Sequence, residues 1–598
     1  MATTGIQIQV GSRPSASLPS LWSGSGSGSV GDGVSKTHLH LPLCRADFSL
    51  RRRSVRLQHS NGVLQFSIFH GKLSKCRVYV GANASPTCRL EELSTAEELG
   101  GKNSSRLFNE EAIRAGSSED TLSSLATGAD REGSLFNWLK QWYPVGVLKH
   151  MDKSQPHPVT VLGRDIVMWW DRNGAQWQIF ADVCPHRLAP LSEGRIDENG
   201  QLQCTYHGWT FAPSTGACTR IPQATPEIFE KKNPKRSCTV VYPSKEQQGM
   251  LWVYMDTSVG AEELAENPPP FLPVLSDPDF VYDLGMSDVP YSYESLIENL
   301  LDPAHVPFAH HKLQGRRESA KPLNFRVEKV EITGFRGSTG DNQPIYFVAP
   351  CMSKMDYILP PPRPPKGHPW ALKLRELIMS KGSGSENVKR QLSIIFIGVP
   401  LTPDKSRVFF VFPRNFAKSP YKWTPKWWNH LVHMTVLDSD NVLLHLMERR
   451  LQERGGMAKV EKLFYCPTAS DAFVIAYRKW LKTFGGGVPD HGPKATDRLQ
   501  PTAPLSVIFD RHTLHVENCT YCSGAKKNLL KLVSVLQALP LVLIGLVAAS
   551  NSRPLRGIIA FSIPLVCTAF LSLLASRWLQ QWIKKNFEYH GYNHSLVK

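Results

Sequence analysis

Acidic residues are nearly missing from the first ninety positions, where only Asp32 and Asp47 stand against eleven Lys and Arg. That stretch accounts for +9 of the net +17, so the remaining five hundred or so residues are only mildly basic. The body also lacks any Lys/Arg tract interleaved with aromatics, which excludes nucleic acid as a partner. No apolar run near the N-terminus is long enough for a secretory signal, so that export route is excluded as well. Cysteine is thin: twelve in 598 residues, with Cys44, Cys76 and Cys88 in the N-terminal stretch. The others are too scattered for a disulfide framework, and their clustered pairs point to metal or redox use.

What is present begins with Ser, Gly and Arg. Residues 1–85 read as an organellar presequence, plastid before mitochondrial, with cleavage near 82–85. Residues 86–135 are polar and read as a disordered linker. Order is expected from Phe136, and short β-type runs at 166–170 and 177–180 flank a turn at Arg172-Asn173-Gly174. Further runs at 238–242 and 250–254 complete a small all-β module over 136–257. A Pro-rich connector at 267–273 leads to a mixed domain over 275–485. There β-type runs at 392–399 and 407–412 alternate with helices expected over 293–310 and 426–454. The class expected is α+β, made of two or three folded units with tails.

Two charge-free apolar runs, 532–549 and 557–576, are long enough to cross a bilayer core of roughly 30 Å. They define a transmembrane hairpin over 528–577, preceded by a linker at 486–527 and followed by a tail at 578–598. Lys526, Lys527 and Lys531 before it, with Arg577, Lys584 and Lys585 after it, put both outer ends in one compartment. In a plastid that compartment is the stroma. The competing reading is a buried helical hairpin of a soluble core.

The most specific pattern is Cys184-Pro185-His186, then seventeen residues, then Cys204-Thr205-Tyr206-His207. A Rieske [2Fe–2S] cluster needs two thiolates on one iron and two imidazoles on the other, and two such loops supply them. Zinc motifs pair cysteine with cysteine and histidine with histidine, which this pattern does not. Imidazole ligation raises the cluster's potential, so it accepts electrons from a low-potential donor such as ferredoxin. About a hundred residues on, Asp302, His305 and His310 fall in one short segment, with His311 adjacent. Two histidines and a carboxylate on one face bind non-haem Fe(II) and leave positions for O₂ and substrate. The carboxylate comes from elsewhere: spacing leaves Asp438 and Asp440 both open, with a helix N-cap as the bland alternative.

The segments CPHRLAPLSEGRIDENGQLQCTYHGWTF, ENLLDPAHVPFAHH, LDSDNVLLHLMERR and HVENCTYC together resemble the plant Rieske oxygenases related to pheophorbide a oxygenase. The resemblance spans roughly 136–598. It implies a Rieske β-module joined to a helix-grip-like catalytic domain. It implies His305, His310 and Asp440, rather than Asp438, as iron ligands, with Glu298 and Asn299 nearby. It implies that Asp302 links the two metal centres between subunits of a head-to-tail homotrimer. A chlorophyll-pathway tetrapyrrole as substrate and a plastid membrane as location, inner envelope or thylakoid, follow from it alone. The family's Cys-x-x-Cys is matched by Cys519 and Cys522, which the resemblance implies are a redox pair and a thioredoxin target. The residues alone leave open two inert thiols in a loop, or a metal site with His512 and His515 close by. A rival reading is a redox-sensing subunit of a plastid protein-import translocon. It has no use for a second iron site. A respiratory-type electron carrier fails on size and on the same motif.

Overall fold

The computed structural model describes four strands between residues 56 and 91, then residues 135–258, 260–360, 389–495, 499–549 and 555–597. The presequence and linker expected over 1–135, including the cleavage region, otherwise lie outside the described residues. Strands β1 (Arg56–Ser60), β2 (Val63–His70), β3 (Lys72–Tyr79) and β4 (Thr87–Glu91) pair in sequence order as an antiparallel meander. No strand is expected there above, yet Leu64, Phe66 and Ile68 alternate with Gln65 and Ser67 at the strand period.

The second unit opens with the β-module. β5 (Trp142–Val147), β6 (His157–Val161), β7 (Arg164–Asp171) and β8 (Gln176–Ala181) are followed by β9 (Arg195–Ile196), β10 (Leu202–Gln203), β11 (Thr210–Phe211) and β12 (Cys218–Arg220). β13 (Val241–Tyr242), β14 (Ser244–Gln247) and β15 (Met250–Tyr254) end it. They form sheets ordered β14-β15-β5, β13-β8-β7-β6 and β12-β11-β10-β9. The expected hairpin is β7–β8, its turn held by the Asn173 N–H donating to Asp171 Oδ1 at 3.0 Å. The run at 238–242 yields only a two-residue strand. Its first half bonds elsewhere, with the Thr239 N–H on the Gly216 carbonyl at 2.9 Å.

The second domain is one antiparallel seven-stranded sheet. Its strands are β16 (Leu284–Val289), β17 (Arg326–Glu331), β18 (Gly334–Ser338), β19 (Pro344–Val348), β20 (Met352–Leu359), β21 (Arg390–Thr402) and β22 (Lys405–Val411), ordered β16-β22-β21-β20-β19-β18-β17. Helix α1 (Tyr293–Leu300) lies on β21, where Gly398 makes room. A Cβ at Gly398 would stand 2.9 Å from Ile297 and 3.0 Å from Leu296. Helices α2 (Lys426–Glu453) and α3 (Ala472–Thr483) pack on β16 and on β17–β18, so the sheet grips helices as the resemblance implied. Backbone hydrogen bonds join the two domains: the Leu162 and Gly163 N–H groups donate to the Pro400 and Leu401 carbonyls at 2.8 Å.

Helix α1 buries an acid in its first turn. Burial pushes the Glu294 carboxyl up to about 7, and the Glu448 carboxylate adds to the shift. A raised acid stabilises the fold below its unfolded value and loses that contribution as pH rises through the folded one. Glu294→Gln is therefore expected to be nearly neutral at pH 4.5 and stabilising by about 3 kcal/mol above pH 7. Denaturant titrations at the two pH values check this, and an equal effect at both would contradict it.

Helices α4 (Thr520–Ala549) and α5 (Leu555–Ile583) form the hairpin. Its apolar side chains face outward, with Leu541 74% and Phe570 61% exposed. A soluble-core hairpin would bury them, so the membrane reading stands. α4 begins at Thr520, eight positions ahead of the boundary expected from the apolar run. The two ends of the hairpin meet: Lys526 Nζ lies 2.9 Å from Glu588 Oε1. Trp427, Trp428 and Trp582 cluster beside them, with Trp428 and Trp582 stacked at 6.5 Å. Such rings suit the headgroup level of a bilayer.

Candidate metal centres

The two loops of the β-module are built alike. The Cys184 N–H donates to the Ala189 carbonyl and the Leu188 N–H returns to the Cys184 carbonyl, at 2.8 and 2.9 Å. The Cys204 N–H donates to Trp209 and the Gly208 N–H returns to Cys204, at 2.8 and 3.0 Å. Each loop thus has its fourth residue after cysteine at positive φ, +60° for Leu188 and +74° for Gly208. Both thiols are buried, whereas His186 is exposed and His207 half-buried. The imidazoles meet at the tip with ring centroids 4.6 Å apart, and His186 stacks on Trp209 at 4.7 Å. Burial, reinforced by Cys204, pushes the Cys184 thiol up to about 12, a cost that a bound cation removes. A buried thiol pair capped by two outward imidazoles fits a Rieske cluster.

The second set is drawn from three segments. Helix α1 stops at Leu300, and Asp302 caps a 3₁₀ turn (Pro303–His305) through the Ala304 N–H at 2.9 Å. The sequence reading carried one helix through 310. Five residues apart on a continuous helix, His305 and His310 would point about 140° apart. Instead His305 ends the 3₁₀ turn and His310 lies just past a four-residue helix (Val306–Ala309), and their Nε2 atoms stand 3.1 Å from each other. Asp440 comes from the middle of α2, its Oδ2 lying 3.4 Å from His310 Nε2. The N-cap alternative for the two acids fails, because α2 starts at Lys426.

Local partners orient this set. Ser439 Oγ donates to the Val436 carbonyl at 2.6 Å and accepts from His310 Nδ1 at 2.7 Å, which leaves the Nε2 lone pair facing Asp440. Burial pushes Asp440 up to about 7 and, with His305 beside it, holds His310 down at about 3. Burial works against the charge on His305, but the Asp302 and Asp440 carboxylates hold it above its usual range. His305, His310 and Asp440 keep their donor atoms within 4.8 Å of one another, so the donor set fits one non-haem iron.

The neighbouring acids and histidine are engaged elsewhere. Asp438 pairs with Arg511 and with His590 Nδ1 at 3.2 Å. His311 Nδ1 accepts the Arg317 N–H at 3.1 Å. Glu298 holds Arg478 with both oxygens, at 2.7 and 2.6 Å. The tail beyond the hairpin does not hang free. His594 lies against the backbone of Ala309 and Ser439, and Arg317 Nη2 donates to the Val597 carbonyl at 3.0 Å. Sequence reasoning gave Ser439 no role, although it lies within LDSDNVLLHLMERR, and it missed Arg511 and His594, which no motif marks.

Cys519 and Cys522 are buried, and neither forms a disulfide. The loop expected for them is absent. Cys522 is in the first turn of α4 and Cys519 directly precedes it.

The fold and these two sites define an oxygenase that pairs a Rieske [2Fe–2S] cluster with a mononuclear non-haem iron. The chain matches the Rieske [2Fe-2S] domain family over residues 141–242 and the pheophorbide a oxygenase family over residues 347–457. It is 38% identical to protochlorophyllide-dependent translocon component 52 of Arabidopsis thaliana, over 77% of this chain and 86% of that protein. It is 37% identical to flavonoid 8-hydroxylase 2 of Ocimum basilicum, over 78% and 88%. Pheophorbide a oxygenase of Arabidopsis thaliana is 35% identical over 78% and 86%. The chain belongs to the Rieske oxygenases of the pheophorbide a oxygenase family, and it is an oxidoreductase. These relatives are chloroplastic proteins, and with two candidate spans the chain is a chloroplast membrane protein.

Proposed function

We propose that this chain is a stroma-facing monooxygenase that takes electrons from reduced ferredoxin and inserts one atom of O₂ into a chlorophyll-pathway tetrapyrrole. The observation that carries the reading is the triad of His305, His310 and Asp440, which a pure redox sensor would not need. When bound, iron there supplies O₂ activation, and the cluster held by Cys184, His186, Cys204 and His207 supplies electrons. The protein's own part is positional. Ser439 fixes the His310 tautomer. The exposed tip of the β-module, with Leu188 75% and Tyr206 57% exposed, offers a docking face to a neighbouring copy. In a head-to-tail trimer that face meets Asp302, whose side chain is 33% exposed. The hairpin keeps the site beside the bilayer in which apolar ring systems dissolve.

The balance is substrate-H with O₂, two electrons and two protons, giving substrate-OH and water. The test is turnover of the full-length protein with reduced ferredoxin and ¹⁸O₂ on protochlorophyllide, chlorophyllide, pheophorbide and a flavone. One labelled oxygen in a tetrapyrrole product is the expected result. A labelled flavone alone would transfer the substrate to the class named by the basil relative. Reductant consumption with no labelled product from any of them would favour a redox subunit of an import translocon.

A further inference from the structure

Away from both centres, four buried side chains converge on one point beneath the hairpin. His430 is in the second turn of α2, His515 in the turn before α4, and Cys519 and Cys522 at the start of α4. Their donor atoms lie within 4.8 Å of one another, and each residue is 2% exposed or less. Cys519 Sγ stands 3.3 Å from His430 Nδ1, close to the edge of a tetrahedron with metal bonds of about 2.0–2.3 Å.

Both imidazoles are held as metal ligands are held. His515 Nδ1 is 2.7 Å from the Met286 carbonyl, to which it donates, so Nε2 carries the lone pair. That Nε2 is buried without a hydrogen-bond partner. On His430 the roles of the nitrogens are exchanged. Nε2 faces the Asp283 carboxylate at 3.4 Å while Nδ1 faces the sulfur. A carboxylate behind one imidazole and a carbonyl behind the other fix tautomer and direction. Four buried donors with no cation among them would leave lone pairs unsatisfied at real cost.

We propose that His430, His515, Cys519 and Cys522 bind a structural zinc ion. Two thiolates neutralise Zn²⁺, so the loaded site carries no net charge into a low-dielectric setting. All four positions are filled by protein and none opens to solvent, which makes the site structural and not catalytic. The ion staples the membrane hairpin to α2 and, through Asp283 and Met286, to the edge strand β16. The thiols are thereby unavailable as a disulfide switch. His150 is the rival ligand, but its Nε2 is 3.9 Å from Cys519 Sγ and its Nδ1 already meets Thr520 Oγ1 at 2.7 Å.

The test is metal quantitation on the full-length protein in detergent, produced with zinc and iron both replete. About one zinc per chain is expected beside about three irons. Cys522→Ser and His515→Ala should each lower zinc at least fivefold with iron content and the Rieske EPR signal unchanged, while His150→Ala keeps zinc. Should those variants fail to fold, cobalt-grown wild type decides the matter. A thiolate-to-cobalt charge-transfer band with tetrahedral ligand-field absorption supports the site. Wild type with three irons and no zinc, a Cys519–Cys522 disulfide in the native protein, or a fourth iron in place of zinc would each overturn it.

Discussion

His310→Ala is expected to reduce the iron content from about three to about two per chain, abolish turnover, and leave the Rieske EPR signal intact. The reasoning is geometric. His310 Nε2 is the atom closest to both other donors, 3.1 Å from His305 and 3.4 Å from Asp440, and no neighbour can replace it. His311 is already committed to the Arg317 N–H, so His311→Ala should keep the third iron. Ser439→Ala frees the His310 ring to turn and should weaken iron binding by about 10–100-fold without eliminating it. Iron analysis and EPR on the three variants give a graded series. Equal loss in all three would mean that the site collapses when disturbed, and the ligand assignment would fall.

Arg511→Met should destabilise the fold by about 3–5 kcal/mol. Arg511 is 1% exposed and holds Asp438, Thr435 Oγ1 and the Asn586 carbonyl, the last at 2.8 Å. Removing the guanidinium leaves the Asp438 carboxylate buried beside a single imidazole, His590. The double variant Arg511→Met/Asp438→Leu removes both charges and should recover most of the loss, since an apolar pair can replace a buried ion pair. Unfolding of the detergent-solubilised protein reads both. A single variant within about 1 kcal/mol of wild type would show that Asp438 finds water or another partner there.

The sequence shows the Rieske loops and the hairpin most openly, because each is local. A cluster loop needs its ligands two or three residues apart, and a span needs only an unbroken apolar run. The iron triad is half local. Asp302, His305 and His310 sit together, but choosing between Asp438 and Asp440 requires knowing which face of α2 meets His310. Two positions along a helix differ by about 200°, and spacing alone cannot say which way the helix is rolled. The break after Leu300 was obscured by apolar residues that continue the helical pattern past Pro303. Least legible was the partner of the Cys-x-x-Cys: His430 precedes Cys519 by 89 positions and looks like any polar residue of an amphipathic helix. The docking of the tail is not legible in the sequence because its contacts to Asp438 and Arg317 are entirely tertiary.

The position of that tail has a consequence for timing. Residues 589–597 follow both spans in the chain, yet His594 rests on the residues next to His310 and Asp440. The triad is therefore covered by a segment that follows both spans, and only once the hairpin has folded back on itself. A chain whose hairpin has not closed keeps His305, His310 and Asp440 but lacks that cover. Closing the hairpin and covering the triad are thereby coupled.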